Sequence, residues 1–189
     1  ALPIGLLRGL RLGACTEQDS APVGGLNATT PSTGALVKHR YEARGACPAR
    51  DYYVYTPKQL PKNPLPLVIY LHGCAQSALQ AIDGVRWNEA ADRHGLIVAY
   101  PEQAAFTNNG ANPDGNGGQC WNWFLPQGQT RDSGEACTIA GITKEVMAQQ
   151  NIDPKPVYAT GISPGGTIPL DGGAPNPDLS PARGGIAGR

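Results

Sequence analysis

The strongest chemical signal in the chain is a serine held between glycines, Gly161-Ile162-Ser163-Pro164-Gly165. It follows Val157-Tyr158-Ala159-Thr160, a run that suits a β-strand. In that setting G-x-S-x-G marks a nucleophile elbow, a turn so tight that a Cβ at either flank would collide with the strand or the helix that follows. The turn holds a hydroxyl where it can attack an acyl carbon. A lone match means little in a glycine-rich chain. Its weight here comes from the strand before it and from an earlier strand that ends in His72-Gly73.

The other side chains able to do chemistry are few. The histidines are His39, His72 and His94, all before Ser163. Cysteines stand at 15, 47, 74, 120 and 137, with no CxxC pair and no Cys/His spacing that would hold zinc, so neither a metal nor another cofactor is expected. If Cys15 lies outside the folded part, four cysteines remain and allow three pairings, which suits an oxidising compartment. Leu12-Gly13-Ala14-Cys15 has the form of a lipoprotein processing site, with Cys15 as the lipid-bearing residue, inside an apolar N-terminal stretch that also reads as the remnant of a secretory signal; the alternative is a disordered leader or a mis-set start. The expected location is therefore extracellular or periplasmic.

The elements that must position Ser163 follow from pattern. Residues 50–55 (RDYYVY) alternate and are aromatic, as in a half-exposed strand ended by Pro57. Residues 67–71 (LVIYL) form a continuous apolar run, as in a strand buried on both faces of a parallel sheet. A helix is expected within 77–95, clearest over 87–94 and stopped by Gly95. Residues 96–100 (LIVAY) give the next strand, broken by Pro101. Residues 102–135 are too long and polar for a simple connection, which points to a functional loop around one aromatic knot, 120–124 (CWNWF). Residues 138–150 carry Ile139, Ile142 and Val146 along one helical face. Alternation of strands and helices implies right-handed crossovers and a mostly parallel α/β sheet.

Composition narrows the partners. The 189 residues carry 15 basic and 15 acidic side chains, which gives no reason to expect a nucleic-acid or anionic-membrane surface. No run approaches the roughly 20 apolar residues that cross a bilayer. From Ser163 onward 12 of 27 residues are Gly or Pro, and no apolar 3.6-residue pattern follows. Residues 1–46 therefore read as leader and linker, 47–166 as the organised part, and 167–189 as an unstructured tail.

Residues 47–166 resemble the secreted polyhydroxybutyrate-depolymerase-like esterases, a group of α/β-hydrolase fold similar to feruloyl and acetylxylan esterases. The resemblance is carried, in order, by 50–57, 67–77 (LVIYLHGCAQS), 98–103 (VAYPEQ), 120–124 (CWNWF), 139–147 (IAGITKEVM) and 157–166 (VYATGISPGG). It implies a three-layer sandwich of helices around a mostly parallel sheet, of which this chain holds the N-terminal half. It also implies hydrolysis of a polyhydroxyalkanoate, feruloyl or acetyl ester, polymeric in some members, through an acyl-enzyme. Ser163 would be the nucleophile. The oxyanion would be held by the amide of Cys74 and by that of the residue after the serine. The family pattern also pairs Cys74 with Cys120, and sets Trp121 and Trp123 either on the substrate surface or in the core.

The departures from that pattern are specific. The family order is Ser, then Asp, then His, yet no histidine follows Ser163, and Asp171 and Asp178 stand in Gly/Pro-rich sequence. Pro164 has no N–H to offer the oxyanion. The pattern thus implies a site that is incomplete in these residues, with an open sheet edge beside the serine strand. The competing readings are a noncatalytic polymer- or carbohydrate-binding protein built on the tryptophan loop, and a segment completed by a second chain.

Overall fold

The computed structural model describes residues 32–104, 118–122, 125–126, 132–163 and 181–183. The chain divides into two units, Ala1–Thr30 and Pro31–Arg189, and every described residue belongs to the second. Cys15 lies outside the described residues.

Among the described residues six strands form one mixed sheet. In chain order they are β1 (Ala35–Tyr41), β2 (Arg50–Thr56), β3 (Leu65–Leu71), β4 (Ile97–Pro101), β5 (Ile152–Gly161) and β6 (Pro181–Arg183), and in space they run β1-β2-β4-β3-β5-β6. The pairs β1/β2 and β2/β4 are antiparallel, whereas β3/β4, β3/β5 and β5/β6 are parallel. The helices among the described residues are α1 (Ala78–Val85), α2 (Trp87–His94) and α3 (Gly134–Gln149), and they pack on it.

The period-2 alternation of the central strands builds a core on each face. Leu67, Ile69 and Leu71 of β3, with Ile97 and Ala99 of β4, pack against Ile139, Ile142 and Val146 of α3. The residues between them, Val68, Tyr70, Val98 and Tyr100, pack against Ala78, Ala81, Ile82 and Ala91 of α1 and α2. Two apolar faces, each with its own helices, make the three-layer α/β sandwich that the sequence implies.

Four details differ from expectation. Residues 35–41 are not linker: β1 joins the sheet through seven residue pairs with β2. Its charged, mostly exposed residues hide the strand pattern, and they suit an edge. The helix of 77–95 is two helices, divided at Arg86, which takes the left-handed conformation (φ 57°) while its guanidinium pairs with Glu89 at 2.5 Å. Ser77 caps α1 in a reciprocal capping box with Gln80, and Gly95 ends α2 in the left-handed conformation. Residues 152–156 extend the serine strand backwards, two prolines included. Finally, Pro181–Arg183 pair with Val157–Ala159 of β5, so the edge expected to be open is met there by the tail.

Two disulfides brace this frame. Cys47–Cys137 ties the segment before β2 to α3, and Cys74–Cys120 ties the loop after β3 to the segment before α3, as the resemblance implies. Composition alone left the partner of Cys47 open.

Candidate active site

The site is built at the carboxyl ends of β3 and β5, where open parallel sheets place their ligands. In register, Leu71 at the end of β3 lies beside Gly161 at the end of β5. The Ile162 amide donates to the Leu71 carbonyl at 3.2 Å, extending the pairing one residue further. Ser163 is then the first residue beyond the sheet, and it is exposed. Gly73 sits so close to this turn that a Cβ on it would lie 3.3 Å from Ile162 Cγ2 and 3.0 Å from Gln76 Oε1. A glycine is what lets the loop after β3 lie against the serine turn.

Backbone strain collects at this end of the molecule. Among the described residues four non-glycines have positive φ, and three of them lie here: Ser163 (56°), Ala75 (57°) and Gln119 (47°). Conformations of this kind cost about 1–3 kcal/mol each and persist where the surroundings enforce them, commonly at active sites. For Ser163 the left-handed turn is what a nucleophile elbow requires.

The surroundings that enforce the loop can be named. The Gly73 amide donates to Gln76 Oε1 at 2.8 Å, and the Ala75 amide to the Gly118 carbonyl at 2.6 Å. His72 is fully buried and uses both ring nitrogens. Its Nε2 accepts the Gln103 amide at 3.0 Å, which leaves Nδ1 protonated to donate to the Gly73 carbonyl at 2.8 Å. Burial lowers its pKa, with the Gly73 bond opposing, so the ring is neutral. Trp121 Nε1 donates to the His72 carbonyl at 2.9 Å. His72 is thus a clamp on the loop and not a base for Ser163.

Behind His72 lies a buried polar network. Gln103 accepts from Arg50 Nε at 2.9 Å and donates to the Cys120 carbonyl at 2.9 Å and to Glu135 Oε1 at 2.5 Å. Glu135 also accepts from the backbone amide of Asn122 at 2.5 Å and from its Nδ2 at 3.1 Å, and Arg50 Nη2 stands 3.6 Å away. Burial pushes the Glu135 carboxyl up, and the Asn122, Arg50 and Gln103 groups pull it back down. Nearby, Glu102 Oε2 accepts the Ala78 amide at the start of α1, while Oε1 stands 3.6 Å from His72 Nε2 with no hydrogen-bond partner among the described residues. Burial raises the Glu102 carboxyl as well. Nothing local marks this network, since Arg50, Gln103 and Glu135 read as a strand residue and two loop residues.

The residues singled out from sequence fall into three groups. Ser163 and Cys74 come to one end of the sheet, on adjacent strands' exits. Trp121 is fully buried in the α3-side core with its ring 5.3 Å from His72, so its indole is packed inside and not displayed to a substrate. His39 stacks on Tyr52 at the β1 edge, and His94 ends α2. Trp123, Pro164, Asp171 and Asp178 lie outside the described residues. Among the described residues no cluster of His, Cys, Asp or Glu could hold a metal ion, and no helix is long and apolar enough to cross a membrane.

The geometry has counterparts. The chain is 35% identical over 136 residues to poly(3-hydroxyalkanoate) depolymerase C of Paucimonas lemoignei, covering 72% of this chain and 30% of that protein. It is 33% identical over 129 residues to an acetylxylan esterase of Coprinopsis cinerea, covering 67% of this chain and 32% of that one. A feruloyl esterase B of Thermothelomyces thermophilus matches at 32% over 117 residues, 61% of this chain and 36% of the other. The chain thus spans about a third of the length of these relatives. In fold it is similar to an acetyl xylan esterase from Aspergillus awamori, with a TM-score of 0.63 at 22% identity over 80% of this chain and 53% of that one. An S-formylglutathione hydrolase from Agrobacterium tumefaciens superposes with a TM-score of 0.55 at 20% identity, over 79% and 56%. Residues 50–172, which include both loops of the site, match the family described as Esterase PHB depolymerase, and the chain belongs to that family of carboxylic ester hydrolases.

Proposed function

We propose that Ser163 and the Cys74 amide are the nucleophile and one oxyanion donor of a serine ester hydrolase. The observation that carries this is the left-handed Ser163 at the exit of β5, beside the clamped loop that ends β3. Ser163 Oγ attacks the ester carbonyl and forms the acyl-serine. The alcohol leaves with a proton, and water then releases the acid and restores the hydroxyl. A base must take the serine proton, and none of the three histidines can do so. His72 has both nitrogens engaged, while His39 and His94 belong to the β1 edge and the end of α2.

In this reading the described residues hold the nucleophile half of the site, and no histidine among them stands as its base. Removing the base alone costs on the order of 10⁶ in kcat in a serine hydrolase. A proline in place of the second oxyanion donor costs roughly 10² to 10³ more. The substrate class is an ester of the kinds named for the relatives, a hydroxyalkanoate polyester or a plant-wall acyl ester. Two disulfides favour secretion into an oxidising compartment. Hydrolysis of a short-chain nitrophenyl ester tests the reading. No Ser163-dependent turnover is expected, and steady turnover abolished by Ser163→Ala but absent from denatured protein would overturn the half-site.

A further inference from the structure

We infer that Glu135 is a positioning residue for the oxyanion donor at Cys74. Its purpose rests on the esterase reading, but the positioning is a matter of contacts alone. Glu135 stands in the first turn of α3, where an acidic side chain would ordinarily do no more than complement the helix dipole from the surface. Here it is 3% exposed and turned inward, with N–H donors converging on its carboxylate.

Those donors lead to the loop after β3 by four connections. Through Asn122, whose backbone amide it accepts, Glu135 fixes the chain at 120–122, and Cys120 is bonded covalently to Cys74. Trp121, between them, donates to the His72 carbonyl. Through Gln103, Glu135 holds the residue whose backbone amide sets the tautomer of His72, and His72 in turn grips the Gly73 carbonyl. The same segment reaches the loop again where Gly118 accepts the Ala75 amide. One carboxylate thus orders the strand end, the loop return and the bridge that together aim the Cys74 N–H. A buried anion with charge-assisted bonds suits this task, because such bonds are short and directional.

Glu135→Gln keeps the shape and turns one accepting oxygen into a donor that faces other N–H groups. Amide hydrogen exchange, read residue by residue by NMR on the full 189-residue chain, tests the inference without any reference to Ser163 chemistry. The Ala75 amide should exchange about 10- to 100-fold faster in Glu135→Gln, while Val68 and Ile69 in β3 stay at the parent rate. Should that variant fail to fold, Asn122→Ala removes the Nδ2 donor to Glu135, keeps the backbone amide that Glu135 accepts, and should quicken Ala75 by about 2- to 10-fold. An unchanged Ala75 rate in a folded variant would overturn the inference. So would an Ala75 rate that rises only in step with Val68 and Ile69, because Glu135 would then support the whole fold and not the loop. If the exchange result holds while Ser163 takes no fluorophosphonate adduct, the esterase reading alone falls.

Discussion

Arg50 and Asp51 are neighbours on β2, yet their side chains serve two different kinds of polar cluster. Arg50, 3% exposed, points toward the α3 side and joins Gln103 and Glu135 in the buried network behind the site. Asp51 points the other way and meets Lys38 at 2.7 Å and Arg40 at 2.8 Å on the exposed β1 edge. A strand's period of two sends adjacent residues to opposite environments, and the environment decides what a charge is worth. Inside, the partners are themselves buried and water cannot stand in for one that is lost, so the network fixes geometry. Outside, water replaces any partner that is lost. The lesson is that polar residues near this site hold the loop after β3, whereas similar residues at the edge keep β1 soluble.

The largest effect should come from breaking the inner cluster. Arg50→Met leaves Glu135 without its guanidinium and should cost about 3–5 kcal/mol of unfolding free energy, measured by urea titration. Destabilisation no greater than that of an exposed substitution would mean that the buried pair is not committed as described.

His72 links that cluster to the loop, and its charge state gives a pH signature. Its pKa is depressed in the folded chain, so the unfolded chain takes up a proton first as pH falls. Its stabilising contribution is full above the unfolded value of about 6.5 and is lost as pH drops from there toward the folded pKa. The slope is at most about 1.4 kcal/mol per pH unit for one proton. In His72→Gln, denaturant midpoints over this range should flatten relative to the parent. An unchanged slope would show that His72 is protonated inside the fold.

A smaller effect is expected where the loop meets the elbow. The Cβ of Gly73→Ala would press on Ile162 and on the Gln76 oxygen that the Gly73 amide uses, costing about 1 kcal/mol. Thermal unfolding would register that cost, and a crystal structure of the variant should show the loop and the Ser163 turn moved apart.

The smallest effect belongs to the outer cluster. Burial pushes the Asp51 carboxyl up, but hydrogen bonds from Lys38 and Arg40 outweigh it and hold the pKa below its usual value. All three side chains remain solvated, so Asp51→Asn should leave the unfolding midpoint almost unmoved, with any difference vanishing in high salt. A large loss there would erase the contrast between the two clusters.

What could be read from the residues was what local pattern encodes. The unbroken apolar run of β3, the Gly95 stop and the serine turn after a strand each carry their own chemistry within a few positions. The β1 strand was illegible because an exposed edge strand such as Ala35–Tyr41 shows charges where a buried one shows Val and Ile. Trp121 could lie on a surface or in the core as far as sequence goes, and only the packing of α3 over β3 and β4 decides for the core. The network of Arg50, Gln103 and Glu135 was hidden for a stronger reason. Its members are up to 85 residues apart in number, as Arg50 and Glu135 are, and nothing local marks a polar residue that tertiary packing will bury.

The central claim, that Ser163 and the loop after β3 form a nucleophile site, is tested most directly by treating the 189-residue protein with a fluorophosphonate and mapping the adduct by mass spectrometry. Without a base Ser163 keeps only the weak nucleophilicity of a hydroxyl exposed in a strained turn, so its adduct forms slowly. The account predicts a slow adduct confined to Ser163 and lost on denaturation. Adducts spread over several serines at equal rates, or none at Ser163, would contradict it.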